Sequence, residues 1–170
     1  MDINWIAKKY AGLDLSELYE MLKLRSEVFV VEQHCIYLDM DGLDSGCFHL
    51  LGWTSGGKLA AYARILPVGV EAYGLQGVEK GPHGSIGRLV VATSCRGIGH
   101  LLLDKALEAY DEAVGKEVSC IIHAQAHLRS FYEKHGFRQC SDLYLIDGIR
   151  HIEMVRKAVP DMPVGTAKNV

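Results

Sequence analysis

The stretch that most limits how this chain can fold is Ser85–Val114, SIGRLVVATSCRGIGHLLLDKALEAYDEAV. Ile86, Leu89, Val90 and Val91 make a short apolar run rich in β-branched residues, which predicts a strand buried on both faces. Arg96-Gly97-Ile98-Gly99 breaks the run. From Leu101 the period changes: Leu102, Leu103, Ala106, Leu107 and Tyr110 recur at helical spacing, with Asp104, Lys105, Glu108 and Asp111 between them. A strand that feeds a glycine turn into a helix N-terminus aims unsatisfied N–H groups and the positive end of the helix dipole at one spot. Such a spot suits an anion, phosphate above all.

Around this unit the chain has the length of one domain, 170 residues, with a formal charge of −3. That charge gives no basic field for nucleic acid or an anionic membrane. No apolar run reaches the ~18 residues that span a bilayer. The five cysteines, Cys35, Cys47, Cys95, Cys120 and Cys140, include no C-x-x-C pair, and Met1–Tyr10 does not read as a secretory leader. Free thiols in a reducing compartment, the cytoplasm, are therefore expected. His123 and His127 straddle a strand–helix junction, so the eight histidines do not predict a metal site.

Ile3–Ile6 predicts a first strand. Asp14 and Glu17 have capping-box spacing, and the stripe Leu18, Met21, Leu22, Arg25, Val28 and Phe29 predicts a helix from about Leu15 to Val28, ending at the aromatic and β-branched Phe29-Val30-Val31. Cys47–Trp53 and Leu59–Leu66 read as a hairpin, and glycine-rich Pro67–Gly84 as a long mobile loop. Val118–Ala124 is a further strand, followed by a helix near His127–His135 that Gly136 stops. Asp142–Ile146 and Ile149–Arg156 flank Asp147-Gly148, a two-residue hairpin turn. The order β-α-β-β-β-α-β-α-β-β implies a mixed α/β sheet with helices on both faces. The domain is expected over 1–157, with 158–170 a flexible C-terminal tail.

A second pattern narrows the class. Ala126…Phe131-Tyr132…Gly136-Phe137 follows a strand, some 30 residues beyond Val90-Val91…Arg96-Gly97-Ile98-Gly99. Together, in this order, the two resemble the GNAT acyl-CoA N-acyltransferases. Leu24-Arg25…Phe29-Val30-Val31-Glu32-Gln33, Asp39-Met40-Asp41-Gly42, Ala61-Tyr62-Ala63-Arg64 and Asp147-Gly148-Ile149…His151-Ile152…Met154 are similar to the ElaA-like branch. The resemblance covers roughly Ile3–Lys157. It implies a single-domain α/β fold: a mixed, mostly antiparallel sheet with a splayed pair of central parallel strands, and helices on both faces. It also implies acetyl-CoA as cosubstrate. The pantetheine arm would pair with backbone at Leu89, Val90 and Val91, and the diphosphate would sit on Arg96, Gly97, Ile98, Gly99, His100 and Leu101. Gln125 and Ser130 are further candidates for the cofactor arm. The family loop usually reads Q/R-x-x-G-x-G/A; here it is two residues short, which implies a tighter cradle.

Acetyl transfer to an amine needs a free lone pair on an amine of pKa ~10, a polarised carbonyl and a proton for the leaving thiolate. The resemblance makes Tyr132 the proton donor, with packing of helix on sheet as its other role, and Phe131 a core residue. Glu32 is the candidate base: Arg25, Phe29 and Glu32 fall on one helical face if the helix persists. Arg64 and Arg88, in strands, call for carboxylate partners, with Glu32, Asp41 or Asp44 in range. His49 and His151 read as satisfied core histidines or as bases. The acids of Glu32–Asp44 hint at a cationic acceptor, and the expected partner is an amine-bearing small molecule or peptide, with no nucleic acid and no membrane. A hairpin edge could also pair with a second copy as a homodimer. A CoA-binding sensor with little turnover is the alternative; a dinucleotide-binding domain lacks its G-x-G-x-x-G signature.

Overall fold

The protein is described here as a computed structural model covering residues 2–75, 77 and 81–159. Its strands are β1 (Ile3–Lys9), β2 (Phe48–Thr54), β3 (Leu59–Leu66), β4 (His83–Val91), β5 (Ser119–Gln125), β6 (Arg138–Gln139), β7 (Tyr144–Ile146) and β8 (Ile149–Arg156). Helices are α1 (Leu15–Arg25), α2 (Gly99–Ala113) and α3 (Arg129–Glu133). One sheet runs β1-β2-β3-β4-β5-β8-β6, with β7 paired to β8. Every pairing is antiparallel except β4 with β5.

Alternation along β3 sends its residues to both faces, and all eight are buried. Ala61, Ala63 and Ile65 meet Leu102, Leu103, Ala106 and Tyr110 of α2 in the larger core. Tyr62 and Leu59 join Met21, Leu24 and Val28 from the first helix on the other face. α1 starts where the capping box expects: Asp14 accepts from Glu17 N–H at 2.8 Å, and Glu17 accepts from Asp14 N–H at 2.9 Å. The Asp147-Gly148 turn takes φ +50° and +79°, the left-handed pair that a two-residue hairpin requires.

Several expectations are corrected. The first helix does not stop before Val30; residues Ser26–Glu32 continue it as a wider π-type turn, with Gln33 N–H reaching Val28 O at 3.0 Å. β4 starts at His83, so His83 and Gly84 leave the expected loop, in which residues 76 and 78–80 lie outside the described set. β6, only two residues long, carries no periodic signal and was not expected. The helix near His127–His135 is a 3-10 turn at Ala126–Leu128 followed by short α3. Of the expected tail, Ala158 N–H donates to Ser119 Oγ at 3.2 Å and Val159 N–H to Lys116 O at 2.9 Å; residues 160–170 lie outside the described set. Among the described residues no helix is long and apolar enough to cross a membrane.

Candidate active site

β4 and β5 pair only at His83–Ser85 with Ser119–Ile121. Tyr110 of α2 locks this root: Gly84 N–H donates to its hydroxyl at 3.1 Å, and the hydroxyl donates to Ser119 O at 2.8 Å. Beyond Ser85 the strands part. β4 also carries a bulge, because Tyr62 pairs with Val90 but Arg64 with Gly87, leaving Arg88-Leu89 opposite Ala63 alone. Arg88 takes φ +52° there. The parted strands explain why Leu89 and Val91, expected to be buried on both faces, are only half-buried.

Two cavities meet at this opening. One, about 170 Å³, lies towards α2 and is lined by Leu89, Val90, Val91, Gly99, Phe131 and Tyr132 among others. The other, about 230 Å³, lies on the first-helix side, with Phe29, Tyr37, Arg88, His123, Gln125 and His151 in its wall. Leu89, Leu128 and Tyr132 line both.

On the α2 side the helix N-terminus is open. Unlike α1, it has no side-chain cap and no acid in its first turn; Ile98 is the N-cap residue, and the first internal bond is Leu102 N–H to Ile98 O at 2.8 Å. The N–H groups of Gly99, His100 and Leu101 therefore lack helical partners. Gly97 has φ +100°, a turn that L side chains seldom adopt. The structure gathers Leu89, Val90, Val91 and Gly99 around the smaller cavity and puts Gln125 in the larger one. Arg96, Gly97, Ile98, His100, Leu101 and Ser130 line neither and sit on the rim, all exposed but the half-buried Ile98. There His100 Nδ1 and His135 Nε2 are 2.8 Å apart, and His135 Nδ1 lies 2.8 Å from Asp104 Oδ1. Phe131 is half-buried, packed against the larger core and also part of the cavity wall, with its ring centre 4.7 Å from that of His100.

Tyr132 is buried, and its hydroxyl makes no hydrogen bond with a described residue. Burial pushes its phenol up to about 12, so it stays protonated throughout the neutral range. Glu32 is not in the larger cavity. It accepts from Thr93 Oγ1 and stands 3.9 Å from Arg96, at the rim near α2. The cause is the π-type turn, whose i→i+5 pitch breaks the i, i+4, i+7 face expected for Arg25, Phe29 and Glu32.

Of the acids expected to pair with the strand arginines, Asp41 and Asp44 do so and Glu32 does not; Asp39 joins them. Arg25 Nε donates to Asp39 at 2.7 Å and Nη1 to Asp44 at 3.0 Å. Arg64 holds Asp41 at 2.6 and 2.7 Å and Asp44 at 2.8 Å. Arg88 Nε donates to Asp39 at 2.7 Å. Burial alone would raise Asp41, but hydrogen bonds from Arg64 and Leu43 N–H, with the Arg64 and Arg88 charges, pull it down to about 2. Asp44 is lowered likewise, by Arg64 and Arg25 against the cost of burial. The hint of a cationic acceptor thus loses its basis: Asp39, Asp41 and Asp44 are consumed by guanidinium groups. His49 is a satisfied core histidine, 2.8 Å from Tyr62 Oη and 3.0 Å from Asp44 O.

His123 carries more than the sequence suggested. It faces the larger cavity from β5, with Nδ1 2.6 Å from Tyr144 Oη and 3.9 Å from Glu153 Oε1. Burial lowers its pKa, against the pull of Glu153 and helped by His151 and His83, so it is neutral near pH 7. The available signal was alternation, which places His123 and Gln125 on one face of β5 and Cys120, Ile122 and Ala124 in the core. Among the described residues, no three His, Cys, Asp or Glu side chains cluster to hold a metal ion.

The same fold occurs in known proteins. The family described as acetyltransferase (GNAT) domain matches residues 27–158. Protein ElaA of Escherichia coli is 38% identical over 92% of this chain and 98% of its own length. A UPF0039 protein of Schizosaccharomyces pombe is 37% identical over 90% of this chain and 96% of its own. Among solved structures, an acyl-CoA N-acyltransferase from Pseudomonas aeruginosa, 41% identical, superimposes with TM-score 0.79 over 90% of this chain and 99% of that one. E. coli ElaA, 36% identical, gives 0.77 over 92% and 100%. With its parted β4 and β5, open α2 N-terminus and Tyr132 between them, the chain belongs to the GNAT acetyltransferase family, in its ElaA-like branch.

Proposed function

We propose that this protein binds acetyl-CoA and transfers the acetyl group directly to a primary amine of a small molecule or peptide. The observation that carries the reading is the pair of cavities joined across the splay, with Tyr132 in the wall of both. The open N–H groups at Gly99, His100 and Leu101, approached through Gly97, suit a diphosphate. The half-buried edge Leu89–Val91, unpaired on its β5 side, suits the amide-bearing pantetheine arm as an added strand. The bulge at Arg88-Leu89 leaves backbone out of the ladder where a thioester carbonyl would need a donor.

Proton transfers complete the reaction. Tyr132, neutral and with no hydrogen-bond partner for its hydroxyl among the described residues, donates to the leaving sulfur. The ammonium proton of the acceptor is taken by His123: Tyr144 occupies Nδ1, and with that proton donated to the phenol oxygen, Nε2 offers its lone pair. Glu32, held by Thr93 and Arg96 at the rim, acts on the cofactor side rather than on the amine. The amine then attacks the carbonyl, the C–S bond breaks, and the tetrahedral nitrogen gives up its second proton, which restores the Tyr132 phenol, so the amide leaves without the acetyl group having joined the protein.

Release of free thiol from acetyl-CoA in the presence of an amine panel tests the reading, together with Tyr132→Phe and His123→Gln. Both variants should bind CoA as wild type does and turn over slowly. Tight CoA binding with no transfer to any amine would favour a CoA sensor instead.

A further inference from the structure

The charged side chains in the wall of the larger cavity are Arg64, Arg88 and Asp147, the last in the exposed β7–β8 turn. Arg88 is the one the backbone goes out of its way to place. It sits at the bulge in the left-handed region, where a long side chain is strained unless its surroundings fix it. They do: Nε donates to Asp39 Oδ1 at 2.7 Å, and Nη2 donates to Asp39 O at 3.1 Å and Asp41 Oδ2 at 3.3 Å. The guanidinium carbon lies 5.8 Å from the centre of the Tyr37 ring, itself cavity wall. Nη1 is left over, with no partner among the described residues. Behind it Arg64, only 1% exposed, has a buried Nε without any hydrogen bond.

Three guanidiniums face three carboxylates in this cluster, so its formal charge is balanced and no carboxylate is spare for a cation. What remains unspent is the Arg88 Nη1 donor, on a side chain of the cavity wall, since the Arg64 Nε is buried out of a ligand's reach. Fixed guanidinium donors match a carboxylate in shape and charge. The volume, about 230 Å³, is below the usual ~300–1,000 Å³ of drug-sized pockets, which limits the occupant to a small molecule.

We propose that the acceptor is a small amine that also bears a carboxylate, an amino acid by class, and that Arg88 binds that carboxylate through Nη1. This rests on the acetyltransferase reading above. The splay, which opens beyond Ser85, then receives the amine while the bulge at Arg88-Leu89 on the same strand grips the acid.

The test uses amine pairs that differ only in the acid: glycine and glycinamide, alanine and alaninamide, phenylalanine and phenylalaninamide, with putrescine and spermidine as cationic controls. Thiol release from acetyl-CoA should be fastest with an acid, and its amide should lose about ten- to a hundredfold in kcat/KM, carried by KM, as expected for a lost charge-assisted contact. Amidation lowers the pKa of the amine, so chemistry alone would favour the amide. Arg88→Gln should erase the discrimination and Arg88→Lys restore part of it; the midpoint shift with CoA checks that each variant is folded. Amides or polyamines used as well as the acids by wild type would overturn the proposal. If no amine releases thiol, the transferase reading has failed, and the midpoint of CoA-loaded protein decides the carboxylate proposal separately: acids should raise it above the amides, and equal shifts or none would overturn it.

Discussion

Tyr132 keeps its proton because it is buried, and its hydroxyl has no hydrogen-bond partner among the described residues. Tyr132→Phe preserves ring and packing, so kcat should fall by ~10² to 10⁴, the range for a positioned general acid, while CoA affinity moves little. With its pKa raised to about 12, Tyr132 should impose no alkaline limb below about pH 10 on the wild-type profile. His123, lowered below its ordinary value, should set an acid limb below pH ~6.5 that His123→Gln removes along with most of the rate. Asp41 acts on stability instead. Its folded pKa, about 2, lies below the ordinary 3.8, so its contribution is complete above the higher value and is lost as pH falls through the lower. Asp41→Asn should therefore cost about 1–3 kcal/mol near neutrality, the range for charged hydrogen bonds. In urea unfolding at a series of pH values, the gap from wild type should close as pH drops towards 2; a gap constant with pH would deny Asp41 this role.

At the level of elements, the splay depends on where it begins. Tyr110 ties Gly84 of β4 to Ser119 of β5, and a Cβ on Gly84 would stand 2.7 Å from that hydroxyl and 2.8 Å from Leu66 O. Tyr110→Phe strands the buried Gly84 N–H and removes a donor from the half-buried Ser119 carbonyl, so it should cost about 1–3 kcal/mol in chemical denaturation and leave the β4–β5 root less protected in hydrogen exchange. Unchanged exchange at Gly84 would show the root to be held by the sheet alone. Elements of this kind were legible in proportion to how local their causes are. The capping box at Asp14, the period of α2 and the Asp147-Gly148 turn each depend on neighbours within a few residues, and all lie where the sequence expects. Arg88 and Asp39 are 49 positions apart, so the need of Arg88 for a carboxylate could be read but not which one. Glu32 was misplaced by a change of helical pitch that apolar spacing does not encode, since Val28, Phe29, Val30 and Val31 fit either pitch. His123 gained its role from Tyr144, 21 positions on, across a hairpin that brings β7 and β8 against β5.

For the whole molecule, cofactor binding and folding are one equilibrium. The smaller cavity is walled by β4, α2 and α3, elements held together only in the folded chain, so acetyl-CoA should bind the native state and not the unfolded one. At a hundred times its dissociation constant such a ligand adds about 2.7 kcal/mol. For a chain of this size each kcal/mol moves the thermal midpoint by about 2–4 °C, so a rise of roughly 5–11 °C is expected. Gly99→Val tests the origin of the shift. A Cβ at Gly99 meets nothing closer than Phe131 at 3.8 Å, so the fold has room for a side chain there, whereas the cavity and the N–H groups beside it do not. The variant should keep its midpoint without ligand within about 1 kcal/mol, the helix-propensity scale, and lose the rise with acetyl-CoA. A rise retained in full would mean that the diphosphate does not lie on the start of α2, and a rise with NAD in place of acetyl-CoA would mean that the groove between β4 and β5 serves another cofactor altogether.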